Sequence, residues 1–188
     1  YRLPKNENIV SDRSKCRSCK KKINWYDNIP LISYLILKGN CRCGKIKIDF
    51  RYFLVELISA LSFLGIFYLY GLTIVTLLLI VLTIFFIIIF FIDLDHFIIP
   101  NELTFPLMII GFFKSFDPNI NLSLFPNYIE SLIGGVFGYI LIWGIITLYM
   151  KIRKKEGMGL GDAKLLAAIG FWFGWYSIPY VIFLSSLS

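Results

Sequence analysis

The sequence predicts an all-α polytopic membrane protein with a small cytoplasmic cysteine-rich domain expected to bind zinc. Three observations carry that expectation. Apolar residues make up 57% of the 188 positions and charged ones 16%, and the charge is gathered into short stretches rather than spread over a surface. Several runs hold no charged residue over the roughly 20 positions that a helix needs to cross a hydrocarbon core of about 30 Å. All four cysteines fall in the basic stretch before the first of these runs.

Taken in order, residues 1–51 form the hydrophilic cysteine-rich domain and residues 52–188 the transmembrane domain. Tyr52 to Gly71 is the first span, with Glu56 near one end. Leu72 to Ile92 is free of charge throughout. Leu103 to Phe113 is apolar but short, so it is a tilted, partial or polar-capped crossing. Ser131 to Met150 is again uncharged, and Leu165 to Ser188 is a further run that Gly170, Gly174 and Pro179 can divide. The sum is about five spans. The chain begins without Met at Tyr1-Arg2-Leu3-Pro4 and stops inside an apolar stretch. The expectation is therefore a chain truncated at both ends, whose missing first helix ties the hydrophilic block to the membrane; no secretory leader is visible.

Orientation follows from Lys and Arg, because short loops rich in them stay cytoplasmic. Most of the basic residues lie in 13–51, Lys20-Lys21-Lys22 among them, and Lys151-Ile152-Arg153-Lys154-Lys155 follows the 131–150 run. With both stretches inside, the chain leaves through 52–71 and returns through 72–92, which delivers Asp93 to the cytoplasmic face. It leaves again through about 101–113, crosses an outer loop holding Asp117, Pro118 and Pro126, and returns through 131–150, so Asp162 lies on that same face. The net charge of +7 is accounted for by this rule and calls for no nucleic-acid partner. The expected surroundings are membrane lipid.

The cysteines are paired in sequence as Cys16-Arg17-Ser18-Cys19 and Cys41-Arg42-Cys43. Two close pairs in a reducing, basic segment fit a tetrahedral thiolate zinc site better than disulfides. A site closed by Cys16, Cys19, Cys41 and Cys43 has no free position and is structural. The second pair is one residue shorter than the usual knuckle, and a reduced or redox-active pair is the alternative.

The residues that carry chemistry are Asp93, in Phe91-Ile92-Asp93-Leu94-Asp95-His96, and Asp162, in Gly157-Met158-Gly159-Leu160-Gly161-Asp162. Ionisable groups are costly at a bilayer edge, and two at matching depth suggest a shared task. Like charges held close share one proton: the charged partner activates a water and the protonated one polarises a carbonyl. No metal or nucleophilic side chain is needed to hydrolyse a peptide bond in this way. Asp95 follows Asp93 by two residues, about 200° around a helix, so only one of them faces Asp162. Gly157, Gly159 and Gly161 permit a close backbone approach beside Asp162. Duller readings stand next to these. Asp162 can simply cap a helix starting at Ala163. His96, the one histidine, suits an interface, as do Glu102 and Lys164, and Glu56 can snorkel or pair with Arg51. The aromatic content of 18%, with Trp172, Trp175 and Tyr176, fits interfacial belts.

Trp25-Tyr26-Asp27-Asn28-Ile29-Pro30-Leu31, Gly39-Asn40-Cys41-Arg42-Cys43-Gly44 and Arg51-Tyr52-Phe53-Leu54-Val55-Glu56 resemble the cytoplasmic domain of bacterial type IV prepilin peptidases. Asp93-Leu94-Asp95-His96 with Ile99-Pro100-Asn101, and Glu156-Gly157-Met158-Gly159-Leu160-Gly161-Asp162-Ala163-Lys164, are similar to that family's two active-site motifs. The resemblance runs over nearly the whole chain, in order. It departs at the shortened Cys41-x-Cys43 pair and at Phe53, where a proline is common. It implies an intramembrane aspartic endopeptidase that removes the basic leader from prepilins and pilin-like secretion or competence proteins. Many members also methylate the new N-terminus from S-adenosylmethionine. Asp93 and Asp162 match the catalytic pair, with Gly159, Gly161, Asp95 and Lys164 in support.

Two other classes compete. A non-enzymatic membrane scaffold or channel component would dock partners on a zinc module, yet a pore should place polar groups in mid-span, where 72–92 and 131–150 have no charge. A presenilin-type aspartyl protease also uses Gly-x-Gly-Asp, but its first aspartate lies deep in a helix and it has no cysteine module.

Overall fold

Backbone polar groups left unpaired in hydrocarbon are costly, so an apolar run there folds into a helix, which bonds every such group within itself. A computed structural model of the chain describes residues 23–42, 47–118, 120, 124–154 and 159–186. Among the described residues the protein is helical, and strand pairing is limited to one isolated antiparallel bridge between Asn40 and Lys47. The chain divides into two compact units, Tyr1–Leu72 and Thr73–Ser188.

In the first unit a 3-10 turn at Trp25–Asn28 precedes α1 (Ile32–Ile36) and the long α2 (Phe50–Tyr70). The Asp49 carboxylate starts α2 by accepting the Arg51 N–H at 3.0 Å. Gly71, at φ 62°, ends it in a conformation that a side chain would resist. Tyr34 of α1 packs on Phe50 and Phe53, with ring centroids 6.3 and 5.2 Å away. Glu56 is spent inside this unit: its carboxylate accepts the N–H of Leu31 at 2.8 Å. Leu31 holds φ at 60°, so the bond secures a turn whose backbone is unfavourable for a branched side chain.

The second unit opens with α3 (Ile74–His96), which the Thr73 hydroxyl caps by accepting the Thr76 N–H at 3.2 Å. It runs four residues beyond the charge-free stretch, so Asp93, Asp95 and His96 are all helical. Phe97 then turns left-handed at φ 54°, and its N–H donates to the Asp93 carbonyl at 2.7 Å. After an extended step through Pro100 come α4 (Asn101–Lys114), α5 (Tyr128–Arg153), α6 (Leu160–Phe173) and α7 (Ser177–Ser185). A capping box of Asn127 and Glu130 starts α5. The final apolar run is divided at Gly174, whose φ of 78° separates α6 from α7.

The core of this unit lies where α4, α5 and α6 meet. Glycines let the backbones of α5 and α6 touch: a Cβ on Gly134 would strike the Gly170 carbonyl oxygen, and one on Gly138 would come within 2.9 Å of the Leu166 carbonyl oxygen. The buried Ser131 hydroxyl donates to the Phe171 carbonyl at 2.7 Å across the same seam. On the other side, Trp172 fits over Gly111 and its indole N–H donates to the Leu107 carbonyl at 2.8 Å. Lys114, which closes α4, is buried with Nζ 3.9 Å from the Phe125 ring centroid, a cation–π contact where no hydrogen-bond partner is present among the described residues.

Among the described residues, α2, α3 and α5 are the helices long and apolar enough to cross a membrane. α4 and α6 have 14 residues each and α7 has nine. At 1.5 Å per residue these measure about 21 and 14 Å, shorter than a hydrocarbon core.

Gly170→Val should therefore lower the thermal midpoint in detergent sharply, by the upper end of the ~1–3 kcal/mol typical of overpacking, because backbone cannot swing aside. Gly144→Val is the control, since a Cβ there meets nothing within 4 Å. Equal midpoints for the two variants would contradict the seam.

Candidate active site

The end of α3 and the start of α6 are the two places where carboxylates stand near an apolar boundary. Asp93 sits in the last turn of α3, exposed, with Asp95 and His96 also exposed beyond it. Asp162 sits in the first turn of α6, ahead of the apolar run from Leu165, and is partly buried. The capping position of α6 is Gly159, with no side-chain cap. The simple cap reading of Asp162 is thereby overturned: the helix starts three residues earlier, and this carboxylate is left over for something else.

Burial holds the Asp162 carboxyl above the usual carboxylate range, and the charge of Asp93 pushes it the same way. Asp95 is not among the groups acting on it. The two aspartates read from the sequence are thus electrostatically in touch, and Asp162 is drawn toward its neutral form. A carboxyl kept neutral beside a second carboxyl is the arrangement in which one proton can be shared.

Between these helix ends runs the link Phe97–Pro100. It lies against α6 at Gly161, where a Cβ would stand 2.9 Å from that of Ile99. Three residues on, the Lys164 ammonium donates to the Asn101 side-chain oxygen at 2.6 Å and lies 5.5 Å from the Phe105 ring centroid. Sequence reading gave Ile99 and Asn101 no role, although both stood in the Ile99-Pro100-Asn101 motif; only their placement against α6 reveals one. Gly159 holds an ordinary extended conformation with space for a Cβ, so close approach is required at Gly161 and not there. Gly157 lies outside the described residues. Glu102 is exposed in the first turn of α4.

Of the cysteines, Cys41 is described, partly buried and next to the Asn40–Lys47 bridge. Cys16, Cys19 and Cys43 lie outside the described residues. Among the described residues no cluster of three or more His, Cys, Asp or Glu is placed to hold a metal ion.

The model of the type IV leader peptidase family matches residues 80–188, the stretch that holds both aspartates and their supporting helices. The chain belongs to the type IV leader peptidase family. Its first part, residues 1–70, matches the bacterial peptidase A24 N-terminal domain. It is 39% identical over 180 residues to the prepilin leader peptidase/N-methyltransferase of Pseudomonas aeruginosa, covering 96% of this chain and 60% of that protein. Proteins of the same name from Aeromonas hydrophila and Neisseria gonorrhoeae are 38% and 37% identical, with 60% and 61% of their lengths covered. The chain thus spans about 60% of the length of the curated relatives it matches. No solved structure matches it.

In a member of this family, Gly161→Val should displace Ile99 and the chain leading back to Asp93. Turnover should fall by at least about tenfold, since small misplacements at reacting groups cost that much or more. Turnover at the parental rate, measured on membrane-inserted protein, would show that this contact does not set the spacing.

Proposed function

We propose that this chain is the catalytic part of an intramembrane aspartic endopeptidase that removes the basic leader peptide from prepilins or pilin-like proteins. The observation that carries the reading is the Asp93–Asp162 pair. Asp162 is partly buried, is not used as a helix cap, and is raised by burial and by the charge of Asp93. The supporting comparison is with relatives that bear the name prepilin leader peptidase/N-methyltransferase.

In this mechanism the ionised carboxylate of Asp93 takes a proton from a water molecule as that water attacks the scissile carbonyl carbon. The protonated carboxyl of Asp162 donates a hydrogen bond to the carbonyl oxygen as negative charge develops there. As the tetrahedral intermediate collapses and the C–N bond breaks, the proton that Asp93 took from water passes to the leaving amine. A pilin-like substrate suits the site because it joins a basic, water-soluble leader to a hydrophobic helix. The leader stays at the surface while the helix lies in lipid, which brings the bond between them to the depth of Asp93 and Asp162.

The catalytic face and the cysteine-rich block are assigned to the cytoplasmic side of the inner membrane, supported by the Lys and Arg in 13–51 and 151–155. α2, α3 and α5 supply three crossings, and α4 with the apolar run 165–188, broken at Gly174, makes up about five, with Asp162 ahead of that last run. Zinc, held by Cys16, Cys19, Cys41 and Cys43, would tie the N-terminal block together and take no part in hydrolysis. The support for zinc is the spacing of the two cysteine pairs in a basic stretch. Methylation of the new N-terminus from S-adenosylmethionine belongs to the same proposal through the relatives' names, and no residue is assigned to it. No observation favours the scaffold alternative.

Cleavage of a prepilin-type peptide by the complete protein in membranes should be abolished, by at least about a thousandfold, in Asp93→Asn and in Asp162→Asn alike, because each removes half of one proton-sharing unit. Survival of cutting in either variant would break the pair. A raised carboxyl loses its proton at higher pH, so the alkaline limb of the rate profile should lie above the ordinary aspartate value of about 4. A limb in the ordinary range would contradict the assignment of Asp162. Purified protein should carry close to one zinc per chain, lost together with thermal stability in Cys41→Ser; no more than a trace of metal in the parent would remove zinc from the account.

A further inference from the structure

The link Phe97–Pro100 joins the helix that carries Asp93 to α4, and it is fastened to α6 at two places that bracket Asp162 in sequence. Gly161 takes the Ile99 side chain against bare backbone. Lys164 donates its hydrogen bond to Asn101. Residues three apart lie on neighbouring parts of a helix surface, so both fastenings fall on one side of the first turns of α6. A single van der Waals contact fixes how near two segments come but leaves one free to pivot about the other. A second, directional contact removes the pivot.

Resting on the aspartic peptidase reading above, we propose that Lys164 and Asn101 form a clamp that positions the two catalytic aspartates, with Lys164 acting through Asn101 rather than on the reacting groups. The clamp holds the start of α4, and with it the short link back to Asp93, in one register against α6.

Three observations point to positioning rather than a direct electrostatic role. The ammonium is committed to Asn101 at 2.6 Å, a short charge-assisted bond. It also lies 5.5 Å from the centroid of the Phe105 ring, one turn beyond Asn101 on α4, so two groups of α4 hold the lysine head together. The groups that act on the Asp162 carboxyl are burial and Asp93, and Lys164 is not among them, although it lies two residues away. Asp95, His96 and Glu102 are the other titratable groups on the facing helix ends, and all three are exposed. A lysine at a peptidase site is easily read as a binder of lipid headgroup or substrate; this one already has its partner within the fold.

The two roles predict opposite shifts. If Lys164 acted by charge, Lys164→Met would remove a cation near Asp162 and move the alkaline limb of the rate profile up. If it clamps, the same change lets the aspartates drift apart, weakens their coupling, and moves that limb down. The experiment is prepilin-type peptide cleavage by the complete protein in membranes across pH, for the parent, Lys164→Met, Asn101→Ala, the double variant and the acceptor-preserving Asn101→Asp. The clamp predicts a fall of about tenfold in kcat with little change in KM for each single variant, since a modest misplacement is costly at a reacting centre. The double variant should lose no more than either single one, the alkaline limb should move down in all three, and Asn101→Asp should recover most of the rate. Additive losses, a limb that moves up in Lys164→Met, or parental rates in the single variants would overturn the clamp.

A second measurement does not depend on catalysis. Spin labels carried on non-natural residues at Phe97 and Leu160, both exposed, report the distance between the link and the start of α6. That distribution should be narrow in the parent and broaden in Lys164→Met and Asn101→Ala. If it broadens while no peptide is cut by any form, the clamp stands and the peptidase reading falls. If it stays narrow in both variants, the clamp is wrong whatever the activity.

Discussion

The close approach of α5 and α6 is the contact on which the rest of the second unit depends. Helices in lipid gain little from hiding apolar side chains from one another, so their association rests on dispersion at close range and on hydrogen bonds between them. Gly134 against Gly170 supplies the first and Ser131 to Phe171 the second. A side chain at either glycine would separate the two backbones. α6 is too short to be fixed by spanning the bilayer alone, with 14 residues. It is held instead by α5 on one side and by α4 on the other, where Trp172 lies over Gly111 and bonds to Leu107. Asp162, two residues into α6, inherits its position from packing that begins a turn away and continues for the length of the helix.

That rigid seat has an electrostatic cost which the proposed activity uses. A carboxylate partly withdrawn from water and within the field of a second carboxylate is disfavoured as an anion, and among the described residues no cation or backbone donor relieves Asp162. A helix start would ordinarily place such a group where it could cap, and this one begins at Leu160, after Gly159, with no side-chain cap. Stability is surrendered at the point where the proposed chemistry needs a proton held and exchanged. Glu56 in the first unit makes the contrast: it too is a carboxylate in an apolar helix, but its charge is occupied by the Leu31 N–H, so it secures a turn.

Much of this was legible in the residues. Uncharged runs located the long helices to within a few positions, because length and apolarity alone decide whether a segment can cross a bilayer. Asp93 and Asp162 stood out because charge at an apolar boundary is rare. Legibility ended where one-dimensional order ends. Helical hydrogen bonding carried α3 past the apolar run to His96, and Gly159 rather than Asp162 holds the cap position of α6. Neither shift alters hydropathy, so neither could be read from it. The pairing of Lys164 with Asn101 joins residues 63 apart in sequence, and nothing in either residue's own surroundings announces it. The same is true of Lys114, whose aromatic neighbours come from the loop before α5 and from α6. The cysteine spacing raised the question of zinc, and three of the four thiols lie outside the described residues.

Whether Asp93 and Asp162 behave as one unit can be read by infrared difference spectroscopy across a pH titration. The carboxyl stretching band of protonated Asp162, identified by its disappearance in Asp162→Asn, should titrate above the ordinary carboxylate range in the parent. In Asp93→Asn the midpoint of that band should move down, because a negative charge that favours protonation has been removed. A midpoint left unchanged by Asp93→Asn would mean that the two carboxyls do not sense each other, and the shared-proton account would fail with it.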